Sequence, residues 1–252
     1  MHDPQALSTG REPALPAPSP SSASAARGRR DFLRAAGLGG AALALAACGS
    51  GGVESALVAP GAPRAPTDAV VGADGSVTLD FNLDTDVLNY AYALEQLEAA
   101  FYIAVTSAAG FSATFAANEQ RILVDLRDHE IVHRDFLRAA LGAAAIPNLT
   151  PDFSAVNFAS RTSVLTTAQT FEDLGVGAYN GAGKYLRSAE LLSLAGKIVS
   201  VEARHAAAIR GVLNGNRSAA FAPNAFDPAL APAAVLQAAD PFIVQTITVI
   251  NA

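Results

Sequence analysis

Two of the four histidines in this 252-residue chain stand three positions after a glutamate, in DHEIVH (residues 128–133) and SVEARH (residues 200–205). On a helix, residues three apart share a face, so each stretch can offer a carboxylate oxygen and an imidazole nitrogen to one metal ion. Chance would place a Glu three before two of the three downstream histidines with a probability on the order of 0.5%. Both pairs sit on otherwise apolar stripes read at alternating spacings of three and four. One stripe runs Leu123, Leu126, Glu130, His133, Leu137, Ala140, and the other Ala195, Ile198, Glu202, His205, Ile209, Val212.

Two further stripes carry an acid at the same central place. They are Leu88, Ala91, Glu95, Glu98, Tyr102, Val105 and Leu165, Ala168, Glu172, Gly175, Tyr179, Ala182. LEQLEAAFY (residues 94–102) aligns with FEDLGVGAY (residues 171–179), each with a tyrosine seven residues after the acid. The chain is thus a degenerate repeat of one two-helix unit. Burying a single uncompensated carboxylate costs several kcal/mol, and this pattern gathers four or five at one level. Like charges that close raise one another's pKa. Two metal ions held by four carboxylates and two imidazoles leave such a cluster nearly neutral, and that donor set suits iron or manganese.

The elements that must position these residues are four long helices, expected over residues 85–107, 117–141, 161–181 and 188–214. Gly110, Gly142 and Gly215 follow three of the ends, and Ser188 is placed to cap the fourth helix. About nine residues join the first two helices, about 19 with Pro147 and Pro151 join the second to the third, and fewer join the last pair. A single long connection between two hairpins defines the expected topology. A short strand is expected in SVTLDF (residues 76–81) and a short helix over residues 232–239, with Pro232 at its first turn.

Composition narrows the function classes. Hydrophobic residues make up 51% of the chain, ample for a core, and the net charge of -6 with no Lys/Arg cluster in the folded part argues against nucleic acid as a partner. The N-terminal stretch resembles a twin-arginine export signal: Arg29 and Arg30 in tandem, then Phe32, Leu33 and an apolar run too short to span a membrane. The run ends in Leu45-Ala46-Ala47-Cys48, which is similar to a bacterial lipobox and makes Cys48 the expected lipidation site. The expected organisation is a signal peptide over 1–47, a Gly/Pro/Ala-rich linker over 48–83, the helical bundle over 84–215 and a tail over 216–252 packing on it.

The four stripes resemble the ferritin-like superfamily pattern, one Glu from each of two helices plus Glu-x-x-His from each of the other two. DVLNYAYALEQLEAAFY (residues 86–102) and the export signal bring the chain nearest to the ferritin-like family that includes the desiccation-related proteins. The resemblance implies an all-α, ferritin-like four-helix bundle with one long crossover between its second and third helices. It implies two iron or manganese ions ligated by Glu95, Glu130, His133, Glu172, Glu202 and His205, with Glu130 and Glu202 bridging and Glu95 and Glu172 terminal. Glu98 also lies on its seam, but the repeat aligns Glu95 with Glu172 and Glu98 with Gly175, which makes Glu98 an additional acid beside the site. Tyr102 and Tyr179 are candidates to hydrogen-bond ligand carboxylates. His129, off the stripe beside Glu130, reads as a surface residue or as one that supports a ligand from behind. Asp125, Asp128 and Asp173 read as solvated, with the orienting of a ligand histidine by one of them as the alternative.

Two functions follow as expectations. The first is an exported redox protein whose dimetal centre meets oxygen or peroxide, as an oxidase, ferroxidase or catalase-like enzyme. The second is a non-catalytic, desiccation- or stress-associated envelope lipoprotein that keeps the bundle as a structural or interaction module. The expected location is the periplasm or cell envelope, with the membrane touched only through the N-terminal lipid, and with room for a homo-oligomer. Iron storage in a closed shell fits less well, because the anchor, linker and tail obstruct the bare bundle surface that such a shell needs.

Overall fold

The computed structural model describes residues 69–215 and 221–252; the expected signal peptide, Cys48 and the linker up to residue 68 lie outside them. Two strands, β1 (Val70–Val71) and β2 (Val77–Asp80), precede helix α1 (Asp84–Ser107). Then come a single helical turn α2 (Phe111–Thr114), α3 (Ala117–Leu141), α4 (Arg161–Ala182), α5 (Ala189–Leu213), α6 (Pro232–Ala239) and strand β3 (Ile247–Ile250). The four long helices agree with the sequence periodicity to within a residue or two. Among the described residues no helix is long and apolar enough to cross a membrane.

α1 packs chiefly on α3, and α4 on α5. These are two hairpins joined by the long segment 142–160, so the short, long, short connectivity of a ferritin-like bundle is present. Local chemistry sets the ends. The Ser160 hydroxyl accepts from Ser163 N–H and the Ser188 hydroxyl from Leu191 N–H, capping α4 and α5. Gly142, with φ of 55°, lets the chain leave α3 through a conformation that other residues rarely adopt.

The crossover runs along α1 and seals it. Asn89 donates to the Ala144 carbonyl and accepts from Ile146 N–H, both at 2.9 Å, and the Gln96 side chain accepts from Leu149 N–H at 2.8 Å. These contacts satisfy the Asn89 amide and the Gln96 side-chain carbonyl, and the central residues of α1, Asn89 to Ala99, are all buried. Edge-to-face rings fasten the crossover and tail to the bundle. Phe101 meets Phe171 at 5.1 Å and Phe153 at 5.7 Å, and Phe171 meets Phe242 at 4.8 Å.

The tail does more than the short helix expected of it. β3 pairs in parallel with β2, aligning Val77 with Ile247 and Asp80 with Ile250, while β1 pairs antiparallel on the other side of β2. Leu230 N–H donates to the Gly177 carbonyl of α4 at 2.9 Å. A Cβ at Gly181 would come within 1.8 Å of the Leu230 carbonyl oxygen, so this contact requires glycine.

Candidate metal centre

All six residues singled out for ligation meet in the middle of the bundle, projected by the four long helices. α1 brings Glu95, α3 brings Glu130 and His133, α4 brings Glu172, and α5 brings Glu202 and His205. The four glutamates have 0% exposure and His205 3%. They form two groups, Glu95/Glu130/His133/Glu202 and Glu130/Glu172/Glu202/His205, and in each group the potential ligand atoms lie within 4.8 Å of one another. Glu130 and Glu202 belong to both.

Both imidazoles turn Nδ1 toward the acids. His133 Nδ1 lies 2.9 Å from Glu202, 3.3 Å from Glu130 and 3.5 Å from Glu95. His205 Nδ1 lies 2.6 Å from Glu130, 3.5 Å from Glu172 and 3.7 Å from Glu202. Of these contacts only that between His133 Nδ1 and Glu130 Oε2 is aligned as a hydrogen bond. Glu95 Oε2, Glu130 Oε1, Glu172 Oε2, both Glu202 oxygens and His205 Nδ1 are buried, and none makes an aligned hydrogen bond. Such atoms are costly unless they converge on something else. Hard carboxylate oxygens with imidazole nitrogens, converging in two sets that share two members, fit a pair of hard or borderline cations.

With protons as its only cations, the cluster settles on a mixed state. Burial alone would lower the histidines, but contacts with Glu130, Glu202 and Glu95 push His133 up to about 12, and contacts with Glu130, Glu172 and Glu202 do the same for His205. Burial, followed by the Glu202 charge, raises Glu130 well above the usual carboxylate range. Burial also carries Glu172 to about 7 against the pull of His205. For Glu202 burial is outweighed by His133 and His205, which hold it below its ordinary value. The carboxylates are therefore balanced by two imidazolium protons and by protons on the acids themselves.

The tyrosines join the two halves of the repeat crosswise. Tyr102 of α1 donates to Glu172 of α4 at 2.5 Å, and Tyr179 of α4 donates to Glu95 of α1 at 2.6 Å. Burial and then the adjacent carboxylate keep both phenols protonated, so each fixes one glutamate rotamer.

Glu98 lies beside the six and is 3% exposed. Its Oε1 fills the space opposite its repeat counterpart: a Cβ at Gly175 would come within 2.9 Å of it and within 3.6 Å of Glu202 Oε2. Burial, reinforced by Glu202, Glu130, Glu95 and Glu172, raises Glu98 well above the usual range. The glycine in α4 thus makes room for the extra acid in α1.

Other side chains near the centre have definite partners. His129 Nδ1 lies 2.9 Å from His205 Nε2, a contact that the periodicity of α3 alone did not predict. Asp173 pairs with Arg210, and Asp128 with Arg127 on the surface. A cleft of about 460 Å³ between α3 and α5 reaches the centre from outside, and it is lined by His129, His133 and His205 with Leu126, Val132 and Val201 among others.

The ferritin-like domain family matches residues 83–215, more than half of the chain and the whole of the bundle, and the chain belongs to that family. No curated protein matches it.

Proposed function

We propose that this is an exported protein of the desiccation-related branch of the ferritin-like family, and that it binds two iron or manganese ions and turns them to oxidoreductase chemistry with oxygen or peroxide. The sharing of Glu130 and Glu202 between two otherwise separate ligand groups carries the reading, because it is the arrangement that a pair of adjacent cations needs. Glu95 and His133 would hold one ion, Glu172 and His205 the other, and Glu130 and Glu202 would serve both. Metal ions held there would supply the electrons for reducing oxygen or peroxide.

The protein's own groups prepare that event. His133 and His205 must release their Nδ1 protons on loading, and the raised acids release theirs, so cations replace protons in a cluster that stays near neutrality. Tyr102 and Tyr179 hold the terminal carboxylates. The cleft between α3 and α5 gives a small molecule a route to the two histidines. Arg29-Arg30, the apolar run and Cys48 support export and lipid anchoring at the cell envelope.

The test is consumption of oxygen and of hydrogen peroxide by metal-loaded protein, with and without ferrous iron. Turnover with ferrous iron indicates a ferroxidase, turnover of peroxide alone a catalase-like enzyme, and turnover of oxygen with an organic reductant an oxidase. Loaded protein that consumes neither oxidant contradicts the catalytic reading and leaves the envelope-module role.

A further inference from the structure

The two halves of the repeat are not equivalent at the centre. Superimposing DHEIVH on SVEARH pairs Glu130 with Glu202 and His133 with His205, and it pairs His129 with Val201. His129 uses its Nδ1 to reach His205 Nε2 at 2.9 Å, with the two rings 5.2 Å apart and tilted by only 17°. Val201, the counterpart, has no donor or acceptor to return to His133, and it lines the same cleft as His133. The two ligand histidines also differ in cover, with side chains 12% exposed at His133 and 4% at His205.

We propose that His129 is a positioning residue for one half-site: it locks the ring of His205 so that the Glu172/His205 position binds its metal ion more tightly than, and ahead of, the Glu95/His133 position. The inference rests on the two-metal reading of the centre. For His205 to present the Nδ1 lone pair to a cation, Nε2 must carry the proton, and His129 Nδ1 accepts it. That bond fixes the ring rotation before any ion arrives, and it keeps the proton on Nε2 when loading removes the one on Nδ1. His133 turns its Nδ1 to the same acids, but among the described residues nothing holds its Nε2 from behind, so its ring is fixed by the ligand carboxylates alone. One hydrogen bond outside the ligand set thus converts a repeated site into an ordered pair.

Titration of the full-length, metal-stripped chain with Co(II), followed by visible ligand-field absorption, separates the two positions. Wild type is expected to take up two ions in resolved steps. His129→Leu should weaken one step by about 10- to 100-fold. His129→Asn, whose Oδ1 can accept from His205 Nε2, should recover much of the loss. In a His133→Ala background the remaining ion should still respond to His129→Leu, whereas in a His205→Ala background it should not. Circular dichroism checks that each variant is folded, and imidazole ¹⁵N shifts report whether His205 loses its Nε2–H tautomer when His129 is replaced. Equal weakening of both steps, no weakening, or a response that persists without His205 overturns the assignment while leaving the two-metal centre standing. Failure of folded wild type to bind Co(II) overturns both.

Discussion

Replacing Glu98 with glutamine should make the metal-free protein more stable, and by an amount that grows with pH. Glu98 is buried among four other carboxylates, and burial and their charges hold its pKa well above the ordinary 4.5. A group whose folded-state pKa is raised contributes stability that is present below its unfolded pKa and lost as pH rises through the folded value. As pH rises above 5 the unfolded chain releases the Glu98 proton before the folded chain does, and each pH unit over which only the unfolded chain is ionised costs up to about 1.4 kcal/mol. Glutamine has the size of the protonated acid and no proton to lose, so it removes this slope without altering the charge that Glu130 or Glu202 experiences. Urea unfolding in the presence of chelator should therefore give nearly equal stabilities at pH 5 and an advantage for Glu98→Gln that grows with pH, by up to about 1.4 kcal/mol per unit. Parallel pH profiles for the two proteins would show that Glu98 is ionised in the fold, and would refute the picture of a cluster that holds protons in place of metal.

Two glycine replacements should move stability in opposite directions. Gly181→Ala drives a Cβ into the Leu230 backbone and should cost about 1–3 kcal/mol by lifting the tail from α4, whereas Gly196→Ala, with nothing within 4 Å, should add about 0.5–1 kcal/mol. Denaturant unfolding distinguishes them, and equal effects would contradict the tail contact. Tyr102→Phe and Tyr179→Phe each free one terminal glutamate, and each should weaken metal binding by roughly 10-fold or more in a calorimetric titration with little change in the fold. Unchanged affinity in both would mean that the phenols serve packing alone.

The bundle and the six residues were readable because the signals are local and repeated. Long apolar seams mark the helices, glycines and Ser188 mark ends, and a Glu or a Glu-x-x-His breaks each seam at the same level. The repeat further separated Glu95 from Glu98, and the structure gives Glu98 its own place opposite Gly175. What stayed hidden depends on contacts between distant segments. The alternation in SVTLDF marks β2, but nothing local announces its partner β3, four residues long and almost the whole described chain away. Asn89 and Gln96 read as polar residues on a helix flank until the crossover is seen to bond them. His129 lies off its own seam, and only the approach of α5 turns it toward His205.

The central claim is that the buried acids and histidines exist to hold two cations. Metal analysis of the purified full-length chain after repletion with iron or manganese tests it most directly. Two equivalents per chain in wild type, with loss of one or both in Glu202→Ala and His205→Ala, is the predicted result. A folded wild-type protein that retains no metal under repletion, or variants that retain two equivalents, would contradict it.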